Sequence, residues 1–142
     1  MTGGSAVAVA VTFVWLGMVL AISFLETPLK FRAPEVTVRI GLGIGRIVFR
    51  ALNTAEAVLA TVLVVIVAGV GGVPAPAVAA GAVAVAALLV QLLAVRPRLN
   101  RRSAMVLAGA DVPRSHGHHI YVGLEIVKVA ALVVTGTQLL LA

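Results

Sequence analysis

The sequence predicts an all-α integral membrane protein, a four-helix bundle with an amphipathic, interfacial helix leading into the second span. Hydrophobic residues make up 61% of the chain and charged residues only 11%, a balance that lipid rather than water must solvate. Four apolar runs, at about 6–25, 54–73, 77–95 and 119–141, approach the ~20 residues needed to cross a hydrocarbon core of about 30 Å. Ten of the eleven Lys and Arg fall in two segments, 30–50 and 96–114, at the edges of those runs. At 142 residues, a single transmembrane domain over 1–142 is expected.

The first span, Ala6 to Leu25, follows a start with no Lys or Arg. A cleaved signal peptide would want a basic leader and a shorter apolar core, so the run is expected to cross the membrane. Gly17 and Ala21 form a small patch suited to close helix contact. Pro28 and Pro34 disfavour helix at the residues before them and predict a turn. From Glu35 the pattern becomes helical, and Arg39, Arg46, Arg50 and Asn53 fall within about 60° at 100° per residue. One polar stripe on an apolar helix marks an interfacial or bent helix running straight into the second span. Glu56 is expected near the cytoplasmic mouth of that span.

GLGIGR, at Gly41 to Arg46, has neither a preceding strand nor a following Lys-Ser/Thr, so it reads as a place where a neighbour approaches closely rather than a phosphate loop. GGVPAP is an uncharged turn, and the third span, Ala77 to Val95, carries Gln91 as its single polar residue. Ala77, Ala80, Gly81 and Ala84 give that span a packing surface, within the bundle or between protomers. RPRLNRR then ends it. Ser103 to Ser115 is expected to be a loop, with a short interfacial turn at Ala104 to Ala108, before the fourth span, His119 to Leu141. By the positive-inside rule the two basic segments belong in the cytoplasm and both termini outside, across the cell's inner (plasma) membrane.

Several classes are excluded or disfavoured. Without cysteine there is no disulfide scaffold, thiolate metal site or cysteine nucleophile. Ser5, Ser23, Ser103 and Ser115 lack any nucleophile-elbow context, and no enzymatic activity is expected. The formal charge of +6 points to anionic lipid headgroups rather than nucleic acid, because the basic residues flank apolar runs instead of interleaving with the six aromatics.

The chemistry concentrates between Asp111 and Leu132. On the fourth helix His118, Tyr121, Glu125, Lys128 and Leu132 lie within about 80° of arc, a polar stripe descending from the cytoplasmic surface. Glu125 and Lys128, at i and i+3, can pair and neutralise each other near mid-bilayer. That pair either locks the bundle or, together with Glu56, belongs to a path for a proton or small cation. His116, His118, His119 and Asp111 offer ligands for a divalent cation such as Zn or Cu(II), although His118 and His119 diverge by roughly 100° on a helix. Haem would need a second axial histidine that no span provides.

The run from Trp15 to Glu56, with WLG, Phe24, PLKF, Pro34, G-x-G-R, V-F and N-x-x-E, resembles a family of small four-helix membrane proteins of unknown function. That family is similar to the copper-resistance CopD-like membrane domain and includes the human cisplatin-resistance-associated transmembrane protein. Trp15, Gly17, Pro28, Phe31, Gly45, Arg46, Phe49 and Glu56 carry the pattern, and His118, Glu125 and Lys128 are similar to its last helix. The resemblance implies a four-helix bundle and an association with metal or drug tolerance. The lack of Cys, with only Met1, Met18 and Met105, departs from what soft Cu(I) handling requires.

Two functions follow as expectations. One is transport of, or resistance to, a small cation or cationic compound past Glu125, Lys128, Tyr121, Glu56 and Asn53. The other is a non-transporting subunit or scaffold, with Arg39, Arg46, Arg50, Arg101 and Arg102 facing lipid or a partner. Four helices enclose little volume, so a transport path calls for a homo-oligomer or a larger membrane complex.

Overall fold

The computed structural model describes residues 2–110 and 117–142. These form four helices long and apolar enough to cross a membrane: α1 (Gly3–Lys30), α2 (Val38–Gly69), α3 (Ala75–Leu107) and α4 (Gly117–Leu141). No strand occurs among the described residues. The protein is thus an all-helical, multi-pass membrane bundle, and the large apolar side chains left exposed along every helix are those that lipid would cover.

Each helix outruns its apolar run, for a local reason. Thr2 caps α1 by accepting from the Ser5 amide at 3.1 Å, and Thr37 caps α2 by accepting from Ile40 at 3.2 Å. The second helix therefore begins at Val38 rather than Glu35, and it continues unbroken into the span as the polar stripe predicts. Pro34 lies in the expected turn, where Glu35 takes the left-handed conformation at φ 68°.

Pro28 does not break α1. The helix widens to a π-helix over Leu20–Glu26 and then resumes through Thr27–Lys30. The same device recurs in α3, where a π-helix at Gln91–Val95 immediately precedes Arg96 and Pro97. A proline ring clashes with the carbonyl four residues back in a regular helix, and a wide turn moves that carbonyl aside. Helix α3 accordingly continues through RPRLNRR to Leu107, so Ser103 is helical and no separate turn forms at Ala104–Ala108. Its end is a Schellman cap: Gly109, at φ 95°, donates to Val106 and Ala110 donates to Met105, both at 3.0 Å.

In space the helices run α2, α1, α4, α3. Helix α1 packs on both α2 and α4, and α4 makes its most extensive contact with α3. The Ala-rich face of α3 is used inside the bundle, with Ala77, Ala84, Ala87 and Leu88 buried there. Helices α2 and α3 meet mainly through the basic continuation of α3. Lys30, Arg46, Arg96 and Arg102 consequently gather at one end of the bundle.

Because the native chain has no cysteine, Ser5→Cys and Ser103→Cys provide single labelling sites at opposite ends. An impermeant maleimide should label one in right-side-out vesicles and the other only in inverted ones. Labelling of both from the same side would contradict four crossings.

Candidate functional site

The centre of the bundle is polar, and every helix contributes to it. Lys128, fully buried near the middle of α4, directs its ammonium at three acceptors: Glu56 Oε1 at 2.5 Å, Glu125 Oε1 at 2.5 Å and Gln91 Oε1 at 2.7 Å. Three acceptors match the three N–H bonds of an ammonium. Trp15 Nε1 donates to Glu56 Oε1 at 2.9 Å, Gln91 Nε2 to Glu125 Oε1 at 3.0 Å, and Ser23 Oγ to Glu125 Oε2. Gln91 Nε2 also reaches the Tyr121 carbonyl at 3.3 Å.

Local sequence places these groups. Glu125 and Lys128 are one turn apart on the inward stripe of α4, along with Tyr121 and Leu132, all buried. Glu56 is fully buried, not at the mouth of its span, because α2 begins well before the apolar run and carries residue 56 into the core. Ser23 lies in the π-helix of α1 and Gln91 opens that of α3. These proline-relieving turns thus sit where the helices contact Glu125.

The expected neutral pair is in fact one ammonium between two carboxylates. With all three ionised the centre carries one net negative charge. Glu56 Oε2 is buried with no hydrogen-bond partner.

Above the centre, toward the basic end, lies a cavity of about 200 Å³. Glu125 and Ser23 lie on its wall, with Tyr121, Phe49, Phe31, Arg96 and Lys30 above them. The Arg96 guanidinium rests over the Phe49 ring at 4.7 Å and the Tyr121 ring at 4.3 Å. Gly41 and Gly45 in GLGIGR make room for these groups. A Cβ on Gly41 would collide with the Phe31 ring, and one on Gly45 would fall 3.1 Å from Lys30 Nζ. Below Lys128, Thr12, Leu132 and Thr135 are buried, and the cleft in that half, about 570 Å³ and lined by residues such as Leu63, Val67, Ala77 and Leu139, is apolar.

The remaining predicted residues divide by place. Asn53, one turn before Glu56 on α2, is buried with its Oδ1 making no hydrogen bond, and it lines a second cleft together with Leu92 and Arg96. Arg39, Arg46, Arg50 and Arg101 are exposed and Arg102 half-buried at the basic end. His118 and His119 are exposed, their rings edge to face at 5.8 Å, and His116 and Asp111 lie outside the described residues. No group of three His, Cys, Asp or Glu suited to a metal occurs among the described residues. Sequence reasoning did not place Gln91, Trp15 or Ser23 in the site. Gln91 had one usable signal, as the lone polar residue of its span.

No protein family, curated protein or solved structure matches the chain. Nothing in those comparisons links it to copper- or cisplatin-resistance proteins.

The centre predicts unequal costs for its members. Lys128→Met leaves two buried carboxylates facing each other and should destabilise the protein by about 3–5 kcal/mol, the range for a broken buried pair. Glu125→Gln keeps the Lys128–Glu56 pair and an oxygen for Lys128, so it should cost less than half as much. Thermal unfolding in detergent, followed by circular dichroism, would show the order; equal melting of Lys128→Met and wild type would contradict a buried cluster.

Proposed function

We propose that this protein handles a small cation, the proton, at a mid-bilayer centre formed by Lys128, Glu56 and Glu125, as part of a transport activity. One observation carries this reading: Glu125 belongs both to the buried cluster and to the wall of the cavity above it. A net charge is costly at bilayer depth. Uptake of one proton from the cavity, onto Glu56 Oε2 or Glu125, would make the centre neutral, and its release would restore the negative charge. The cleft below Lys128 is apolar, so the polar approach to the centre is from the basic end.

The cationic surroundings of the cavity argue against a larger cationic compound entering from that end. The positive-inside rule assigns the basic end to the cytoplasm, with both termini outside, in the inner (plasma) membrane, and its arginines to anionic headgroups. A second reading, a scaffold or complex subunit, is favoured by the fact that all four helices supply a member of the cluster.

Proton flux into liposomes separates the two. With a pH gradient imposed and valinomycin clamping the potential, wild-type proteoliposomes should acidify faster than protein-free ones, and Glu125→Gln should reduce the rate at least tenfold. Glu125→Asp should retain part of it. Wild-type flux at the protein-free level would overturn the transport reading in favour of the scaffold, and full flux from Glu125→Gln would overturn Glu125 as the residue that links cavity and centre.

A further inference from the structure

The wall of the cavity above Glu125 carries more cationic than acidic side chains. Lys30, Arg46 and Arg96 line it, against one carboxylate, Glu125, which Lys128 already engages. Arg96 Nε and Nη2 are buried and make no hydrogen bond. The guanidinium lies over the Phe49 and Tyr121 rings, with the Tyr121 hydroxyl as a polar neighbour. The Lys30 side chain is 9% exposed and forms a long ion pair with the more exposed Glu26, at 3.7 Å. The Nε and Nη2 donors of a guanidinium held over two rings are thus left without an acceptor among the described residues, and a planar fork of N–H groups matches the oxygens of a phosphate.

Position narrows the ligand class. Tyr121 and His118, which both line the cavity, are about 10 and about 15 Å along α4 from Lys128, at 1.5 Å per residue. With Lys128 at mid-bilayer the cavity runs from within the hydrocarbon core up to its boundary with the headgroup layer, about 15 Å from the midplane, so its mouth opens where phosphate groups begin. Its aromatic and apolar wall, Phe24, Phe31, Phe49 and Val122, would suit the ester side of such a group.

We propose that this cavity binds the oxyanion of a phosphate ester or free phosphate, with Arg96 and Lys30 as its direct contacts and Arg46 at its mouth. The site stands apart from the proton-handling reading, since it rests on cationic groups that the Lys128 cluster does not use. Binding by a protein without proton flux would sustain this proposal while refuting that reading.

Calorimetry on the detergent-purified full chain tests it, with inorganic phosphate and dioctanoyl phosphatidylglycerol as separate probes and dioctanoyl phosphatidylcholine as the charge-neutral comparison. Saturable binding of inorganic phosphate identifies a free-anion site. Binding of the phosphatidylglycerol alone identifies a lipid-headgroup site. In either case Arg96→Gln and Lys30→Gln should weaken binding at least tenfold, and Arg98→Gln, which does not line the cavity, less than twofold. Val122→Phe fills the cavity while keeping every charge, and it should abolish binding without lowering the melting temperature. The proposal is overturned if wild type binds neither anionic probe, if it binds phosphatidylcholine equally well, or if folded Val122→Phe binds like wild type.

Discussion

The contact of Lys128 with two carboxylates is the constraint that the rest of the bundle obeys. A lone ammonium among lipid-solvated helices is unfavourable, and partners from the same helix cannot saturate it. Glu125 supplies one acceptor one turn away. The others have to come from α2 and α3. Each of those acceptors then needs donors of its own, which draw in Trp15 and Ser23 of α1. The rotation of all four helices is thereby set by a handful of polar atoms, in a solvent where apolar matching alone discriminates poorly between rotations.

Proline takes part indirectly. Both Pro28 and Pro97 follow wide turns, and those turns contain Ser23 and Gln91, the two neutral residues bonded to Glu125. The backbone distortion that accommodates a proline and the approach to the buried carboxylate thus occupy the same level of the bundle. Short π-helical segments recur at functional sites for this reason, since they redirect side chains without ending the helix.

The two halves of the bundle are built for different purposes. The basic end holds a cavity roofed by stacked aromatic and cationic groups, with glycines at Gly41 and Gly45 admitting Phe31 and Lys30 against α2. The opposite half packs Ala8, Thr12, Leu132, Thr135 and Leu139 without a comparable polar cavity among the described residues. Its threonines hydrogen-bond back to their own helices, Thr12 to Ala8 and Thr135 to Ala131, at 2.7 Å each, so they add little polarity.

What the sequence determined by itself was everything set by local period and composition. Four crossings, the basic segments at one end, and the inward stripe Tyr121, Glu125, Lys128 follow from hydropathy and from 100° per residue, which need no knowledge of neighbours. Helix boundaries did not follow, because a cap at Thr37 delays the start of α2 to Val38 and wide turns carry α1 and α3 through two prolines. Glu56 was visible as a charged residue but misplaced in depth, because α2 begins well before the apolar run. That Lys128 has three acceptors, that Glu125 meets Ser23, and that Arg96 stands over Phe49 and Tyr121 were decided only by tertiary structure. Those contacts depend on how four helices rotate and shift against one another, and residues 30 to 100 positions apart carry no shared period from which to read it.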